Sequence, residues 1–128
     1  LFDGRLAKSA FCQPQGLVFD RDQLFVADAE ASAIRQVDLG QQQVRTLVGK
    51  GLFVFGDRDG HCEEARLQHV AGLAMLEEKL YLTDQYNGKL KVASLQEKKI
   101  TTLADGLAEP DGLAFFAGEW WVAETGKH

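Results

Sequence analysis

The sequence predicts an all-β fold built from antiparallel four-stranded units, and three observations support this prediction. Residues 14–47 align with residues 70–103 at a constant shift of 56 residues, without insertion or deletion. The apolar runs in both copies are short and rich in β-branched and aromatic residues, as strands are. Short polar turns separate the runs, and such connections join antiparallel strands, because parallel neighbours need a crossover of about a dozen residues.

Each full copy contains four strand candidates. Alternation of apolar and polar residues is clearest at 34–37 and at the equivalent 90–93, which is the pattern of a half-buried strand. A single turn or two of helix is also expected at 62–67, inside the connection between the copies. The candidates of the first copy are Gly16–Phe19, Gln23–Ala27, Ala33–Asp38 and Val44–Val48.

A third, partial copy follows at a spacing of 40 residues. Residues 112–114 align with 72–74, and residues 120–124 align with 80–84. Tandem four-stranded units with a period of roughly 40 to 50 residues predict a β-propeller segment, here of about two and a half blades. A helical solenoid is the alternative for such a period, but the apolar runs are too short for it. The expected domain is a single partial propeller over 1–128, divided into a blade at 14–48, a long connection at 49–69, a blade at 70–103 and a half blade at 110–128.

The charge balance narrows the function classes. The net charge is −5, which argues against sequence-independent binding of nucleic acid. The basic clusters at 89–91 and 98–99 are interpreted as the solvated face and the end of a hairpin rather than as a phosphate-binding track. No apolar run reaches the roughly 18 to 20 residues of a membrane span, so no membrane contact is expected.

The two cysteines, Cys12 and Cys62, lie at non-equivalent repeat positions and do not predict a disulfide framework. Free thiols favour a reducing compartment, and a cytoplasmic location is expected. The only methionine is Met75 and no signal-peptide pattern begins the sequence, so the chain is expected to be cut from a longer one.

The repeated residues resemble the NHL repeat, which has the pattern Pro-x-Gly-[LIV], then [LI]-[YF]-V-[AT]-Asp, then [IV]-[RK]-x-[VI]. Departures occur at Val70, Glu124, Gly88 and Lys127. The first copy carries this pattern as Pro14-Gln15-Gly16-Leu17-Val18, Leu24-Phe25-Val26-Ala27-Asp28 and Ala33-Ile34-Arg35-Gln36-Val37.

The connection at 52–60, followed by 65–69, is similar to the later blades of proteins that fuse a thioredoxin-like domain to an NHL propeller. The resemblance covers nearly the whole chain. It implies NHL-type blades from a ring of five or six, used mostly for binding proteins or RNA.

Three carboxylates recur at the end of the second strand of each copy: Asp28, Asp84 and Glu124. They could form a ring that holds a cation in the propeller channel. The favoured interpretation is structural, with each carboxylate accepting backbone N–H bonds from the turn that follows it. Three glycines, Gly16, Gly72 and Gly112, open the first strands, where a close approach of neighbouring backbones is expected.

The sequence disfavours two candidate metal sites. Asp57-x-Asp59-Gly60 resembles the start of a calcium loop, but Arg66 stands where the bidentate Glu belongs, and a plain Asp-Gly turn is favoured. Zinc needs four ligands at tetrahedral spacing, and the cluster of His61, Cys62 and His69 supplies three at most; no nucleophilic Cys–His pair is supported either.

Trp120 and Trp121 are adjacent in a strand, so they are expected on opposite faces. One should enter the core between blades, and the other should face outward or toward a partner. An uncapped half blade with exposed aromatic surface favours association.

The sequence therefore predicts a non-catalytic binding scaffold that contacts a protein partner or forms homo-oligomers. No catalytic, cofactor-binding or metal-binding residue is assigned, and no cofactor is expected. The alternative is part of a propeller enzyme, similar to a calcium-dependent lactonase or a lyase, whose site lies mainly in other blades. Asn87 is the one asparagine in the chain, and this scarcity counts against that alternative.

Overall fold

The computed structural model describes residues 2–127 and contains three antiparallel sheets in chain order. All neighbouring strands within each sheet are antiparallel. The predicted propeller segment of about two and a half blades is confirmed. The first sheet contains β1 Gly4–Arg5, β2 Pro14–Asp20, β3 Gln23–Asp28, β4 Ala33–Asp38 and β5 Gln43–Val48, in the order β1-β5-β4-β3-β2. The second contains β6 Gly60–His61, β7 Val70–Leu76, β8 Lys79–Asp84, β9 Lys89–Ser94 and β10 Lys99–Ala104, in the order β6-β10-β9-β8-β7. The third contains the paired strands β11 Pro110–Phe116 and β12 Glu119–Glu124.

Each of the two full blades carries a fifth, two-residue strand that the sequence did not predict. β1 pairs with the outer strand of the first blade, and β6 pairs with the outer strand of the second. The two short strands lie at equivalent repeat positions, since Gly4 and Gly60 are 56 residues apart. The segment that leads into each full blade is therefore tied to that blade's outer edge.

The connections contain little helix. A three-residue 3-10 helix spans Leu6–Lys8. At 62–67 the predicted helical turn is a hydrogen-bonded turn, in which the Ala65 N–H donates to the His61 carbonyl at 2.8 Å. No helix among residues 2–127 is long and apolar enough to cross a membrane. The half blade ends the described chain, and its predicted end at His128 lies outside the described residues.

The tight turns repeat with the strands. Arg21, Glu77 and Ala117 open equivalent hairpin turns with φ of 57°, 49° and 52°. Glu77 is followed by Glu78 at φ 63°, so both central residues are left-handed, as a two-residue turn matched to strand twist requires. The recurrence of these angles explains why the alignment of the copies needs no gap within a blade.

The main core lies between the first two blades. Phe25, Ile34 and Val48 of the first blade pack against Leu80 and Leu82 of the second. Complete burial of each such side chain contributes roughly 1.5–3 kcal/mol. The 49–69 connection inserts three more buried side chains into the same core: Cys62, Ala65 and Leu67.

The inner strands approach each other closely at the repeated glycines, as predicted. A Cβ at Gly16 would overlap the carbonyl oxygen of Ala71 in the second blade. A Cβ at Gly72 would overlap the carbonyl oxygen of Asp111 in the third blade. Glycine is required at these two positions because the neighbouring backbone occupies the space of a side chain.

Candidate interaction surfaces and buried ion pairs

The recurring carboxylates bind backbone, but the donor differs from the predicted one. Each accepts an N–H bond from the residue sixteen positions earlier, in the loop that precedes the first strand of its own blade. The prediction of a donor in the following turn was therefore wrong. The three bonds are Cys12 N–H to Asp28 at 2.5 Å, Gln68 N–H to Asp84 at 2.7 Å and Ala108 N–H to Glu124 at 2.8 Å.

In the first blade a buried arginine links this carboxylate to residues 2–13, which precede β2 and which we call the leading segment. The Arg35 guanidinium lies 3.1 Å from Asp28 and 2.8 Å from Asp3. It also donates to the carbonyl oxygens of Phe2 and Ala10, at 3.0 and 2.9 Å. The Arg35 side chain has no exposed surface, so this cation is fully enclosed by the blade and the leading segment.

In the second blade Lys91 takes the same repeat position. Its Nζ lies 2.8 Å from Asp57, 3.0 Å from Asp59 and 3.5 Å from Asp84. Like Arg35, it has no exposed side-chain surface. The sequence interpretation of 89–91 as a solvated face was wrong for Lys91, because three carboxylates compensate the cost of burying its charge.

Asp57 and Asp59 therefore serve as counter-ions of Lys91. This differs from both the plain turn and the calcium loop considered from the sequence. Asp59 also accepts the Thr102 N–H at 2.7 Å, as Asp3 accepts the Thr46 N–H at 2.8 Å. Two features of the sequence together indicate this cluster. Lys91 occupies the [RK] position of the repeat pattern, and the connection that precedes its blade contains Asp57-x-Asp59-Gly60.

The charges of the cluster shift the pKa values of its members. Desolvation raises the pKa of Asp57, but hydrogen bonds from Lys89 and Lys91 outweigh it and hold the pKa below its usual value. Desolvation is also outweighed at Asp59, whose pKa is lowered by bonds from Thr102 and Lys91. Burial lowers the pKa of Lys91, yet its carboxylate partners raise the net value above that of a free lysine.

The pKa of Asp84 is shifted in the opposite direction. Burial raises it, and the hydrogen bonds from Asn87 and the Gln68 N–H offset this only in part. The contrast follows first from burial, because the Asp84 side chain has no exposed surface whereas those of Asp57 and Asp59 are 36% and 38% exposed. The ammonium of Lys91 also lies closer to Asp57 and Asp59 than to Asp84. Lys91 and Asp84 are fully buried and pair with the partly exposed Asp57 and Asp59, so the cluster fastens the connection to the blade.

The third blade lacks this arrangement among the described residues. Glu124 pairs instead with Lys127, three positions later, at 2.9 Å, and the lysine side chain is exposed. Hydrogen bonding to the Ala108 N–H and to Lys127 lowers the pKa of Glu124. The short connection at 104–109 provides no equivalent of the Asp-x-Asp-Gly segment.

The adjacent tryptophans point to opposite faces of the half blade, as predicted. Trp120 packs against Tyr81 of the second blade, with ring centroids 4.1 Å apart, and against Phe115, at 5.1 Å. Trp121 points away from the second blade and is 58% exposed. With Gly112, Ala114 and Phe116 it forms what we call the trailing face, the side of β11 and β12 that points away from the second blade.

The opposite end of the segment has a corresponding open surface, which we call the leading face. Its inner part consists of Leu17 and Phe19, both exposed. They pair across the hairpin with Val26 and Leu24, which are covered by Leu6 and Phe11 of the leading segment. The two end faces are therefore apolar and open at their inner strands.

The candidate zinc ligands are not brought together. His61 and Cys62 line a groove of about 620 Å³ between the outer strands of the first two blades. Burial raises the pKa of the Cys62 thiol. His69 lies elsewhere, stacked on Tyr86 with ring centroids 4.4 Å apart. Across residues 2–127, no group of three or more His, Cys, Asp and Glu side chains is arranged to hold a metal ion.

A further surface lies on the loop face, the end of the blades that carries the turns at 29–32 and 85–88 and residues 51–56 of the long connection. Phe53 is 90% exposed, and its neighbours Leu52 and Phe55 are also exposed. Tyr86 is 60% exposed and borders two separate cavities. The sequence pattern does not predict an exposed aromatic surface here, because exposed loop side chains have no periodicity.

Comparisons with known proteins place the repeat in a family. No family model matches the chain. NHL repeat-containing protein 2 of Bos taurus is 43% identical over 108 residues, covering 76% of this chain and 15% of that protein. Its Homo sapiens counterpart is 42% identical over the same length. Protein SUPPRESSOR OF QUENCHING 1, chloroplastic, of Arabidopsis thaliana is 37% identical over 141 residues, covering 91% of this chain and 13% of that protein.

Solved structures share the architecture. An auxiliary nutrient binding protein from Bacteroides thetaiotaomicron superposes with a TM-score of 0.72 at 12% identity, over 84% of this chain and 34% of that one. A protein of the same description from Bacteroides ovatus gives 0.67 at 17% identity, over 77% and 31%. At these identities the similarity shows the fold alone.

This chain spans 13% to 15% of the length of the curated relatives it matches. The predicted fusion to a thioredoxin-like domain remains a prediction. The chain belongs to the NHL-repeat β-propeller family.

Proposed function

We propose that this chain is a non-catalytic binding scaffold that makes protein–protein contacts through its end blades and self-associates in isolation. The observation that supports the proposal most directly is the trailing face. It repeats the features of a contact between blades, with no further blade packed on it among the described residues.

One repeat position illustrates the point in all three blades. Phe25 faces a complete second blade and is 1% exposed. Tyr81 faces the half blade and is half-buried. Trp121 faces no blade within residues 2–127 and is 58% exposed. Exposure at this position therefore follows the amount of neighbouring blade, and Trp121 has the surface of a residue that packs on one.

Gly112 supports the same interpretation. At Gly16 and Gly72 the next blade's backbone fills the space of a side chain, whereas a Cβ at Gly112 would meet no described atom within 4 Å. The trailing face can thus accept the close approach of another strand backbone.

The leading face supplies a matching surface on a second copy. Leu17 is 61% exposed, but the equivalent Leu73 of the second blade is 9% exposed because it packs against the first blade. A leading face placed on a trailing face would repeat the contact between the first two blades. Such a head-to-tail contact joins two different surfaces and can extend to further copies.

The proposal also includes the absence of catalytic residues and of a cofactor, the class of partner and the cellular compartment. The recurring carboxylates Asp28 and Asp84 are engaged in internal bonds, which favours a scaffold without catalytic residues or a cofactor. The acidic balance favours protein partners over nucleic acid or membrane. The two free thiols, Cys12 and Cys62, favour the cytoplasm as the compartment.

Sedimentation velocity over a range of concentrations tests the proposal. We expect the chain to associate with increasing concentration, and Gly112→Val to weaken association at least tenfold, by analogy with the cost of a misplaced side chain in a packed contact of about 1–3 kcal/mol. Gly40→Val is the matched control, since a Cβ at this turn position meets only the Asp38 carboxylate at 3.4 Å. A chain that stays monomeric, or equal association of both variants, would contradict the proposal.

A further inference from the structure

Tyr86 occupies a prominent position on the loop face. It lies in the turn between β8 and β9, and its N–H donates to the Gln68 carbonyl at 3.1 Å. One side of its ring stacks on His69, with an angle of 4° between the ring planes. His69 is nearly buried and in contact with Gln15, at 3.1 Å. Tyr86 is thus an exposed ring with a fixed orientation.

Two cavities border Tyr86, and each contains a glutamate. A cavity of about 120 Å³ is lined by Tyr86, Glu30, Leu52 and Phe55, among others. A second, of about 470 Å³, is lined by Tyr86 and Glu109. In the part of the chain that the structure describes, neither glutamate pairs with a lysine or arginine; the one basic side chain within ion-pair distance of Glu30 is His69, at 3.6 Å.

Exposed apolar side chains stand beside these carboxylates. The segment from Gly51 to Gly56 turns through a Val54 N–H to Gly51 carbonyl bond of 3.0 Å. Its base is fixed, because Asn87 donates to the Gly56 carbonyl at 2.7 Å. The turn holds Phe53 in solvent instead of packing it on a blade. The 104–109 connection, which leads into the third blade, is too short to contain an equivalent of this turn.

We propose that this surface binds a peptide segment of a partner protein in which basic side chains flank a large apolar one. The inference rests on the proposed scaffold function and names a partner chemistry for it. The apolar residue packs on Leu52, Phe53 and Phe55. Two basic residues pair with Glu30 and Glu109.

Charge and ring chemistry select this occupant. An arginine over the free side of Tyr86 gains a cation–π contact and a charge-assisted bond to Glu109 in the same cavity. Tyrosine, tryptophan and arginine are the residues that most often dominate binding energy at protein interfaces. Nucleic acid is disfavoured, because its phosphates would face two carboxylates without compensating cations.

Fluorescence polarisation of the full chain tests the inference. The probe is a fluorescein-labelled peptide with an Arg-Leu-Arg core between Gly-Ser flanks. The comparison probes are the same peptide with a Glu-Leu-Glu core and labelled oligouridine. We expect binding of the Arg probe that weakens with salt, and much weaker binding of the other two.

Variants locate the binding surface. The double variant Glu30→Gln with Glu109→Gln removes both carboxylate charges and should weaken binding of the Arg probe at least tenfold. Phe53→Ser should also weaken it, and cannot disturb the core because this ring is 90% exposed. Glu97→Gln, in an exposed turn at the other end of the blade, is the control and should bind as the unchanged chain does.

Three results would overturn the inference: no binding of the Arg probe at millimolar chain, tighter binding of either comparison probe, or unchanged binding by both the double variant and Phe53→Ser. Gly112→Val separates this inference from the scaffold proposal, since it should lose self-association and keep the peptide. If the unchanged chain self-associates but does not bind the peptide, the result contradicts the peptide site and leaves the scaffold proposal standing.

Discussion

The second and third blades end their second strands in the same way, yet the two carboxylates have different surroundings. Asp84 is buried beside Lys91, with Asp57 and Asp59 completing the cluster. Glu124 accepts the equivalent backbone bond but pairs with an exposed lysine. The backbone bond is thus a property of the repeat, and in both full blades a buried cation of the third strand, Arg35 or Lys91, adds a second link to the carboxylate.

The first blade shows that the cluster tolerates a change of cation. Arg35 stands where the second blade has Lys91, and it donates to Asp3. Asp3 accepts the Thr46 N–H in the same way as Asp59 accepts the Thr102 N–H. The guanidinium also reaches two carbonyl oxygens in the leading segment. In both full blades a cation from the third strand joins the connection to the carboxylate of the second strand.

The largest expected effect breaks the cluster. Lys91→Met should lower the free energy of unfolding by about 3 kcal/mol, because it leaves buried carboxylate charge uncompensated. Urea denaturation followed by tryptophan fluorescence measures this change. Lys127→Met is the control and should leave the midpoint unchanged, since its ion pair is exposed. Equal midpoints for the two variants would show that the buried cluster does not stabilise the blade.

A second prediction contrasts equivalent glycines. Gly72→Val should destabilise the chain by about 2 kcal/mol, because its side chain would collide with Asp111 and with Leu113 Cδ2, which lies 2.7 Å from the added Cβ. Gly112→Val should shift stability by less than about 0.5 kcal/mol under conditions where the chain is monomeric. Thermal unfolding of dilute samples distinguishes them. A large loss at Gly112 would mean that this face is already covered.

The third prediction concerns pH and gives the smallest effect. The folded-state pKa values of Asp3, Asp57 and Asp59 are lowered, so these groups add stability above the unfolded pKa of about 3.9. That stability is lost as pH falls below this value, through the folded pKa. The raised pKa of Asp84 has the opposite sign and reduces the slope.

At high pH the sign reverses for the cation. The raised pKa of Lys91 adds stability below the unfolded value of about 10.4, and this is lost as pH rises through the folded pKa. We expect urea midpoints to be highest between about pH 4 and pH 10. Asp57→Asn should flatten the acid limb, and Asp105→Asn, at an exposed position, should not. An identical acid limb in both variants would contradict the assignment.

Most of the fold could be predicted from the sequence because blades are built from local contacts. The hairpin turns at Arg21 and Glu77, the strands between them and the glycines at the first strands all follow from short-range pattern. The fifth strands could not be predicted this way. β1 and β6 are two residues long, and they are defined by pairing with a strand about 40 residues away.

The sequence by itself determined the repeat, its period and therefore the family, because each copy must present the same apolar faces to its neighbours. Only the tertiary structure decided what the charges do. Lys91 and Asp57 are separated by 34 positions, and alternation in β9 is equally compatible with a solvated lysine. Burial of that ammonium depends on carboxylates brought to it by the connection. Since no local pattern records such a long-range pairing, its place in the cluster became visible only in three dimensions.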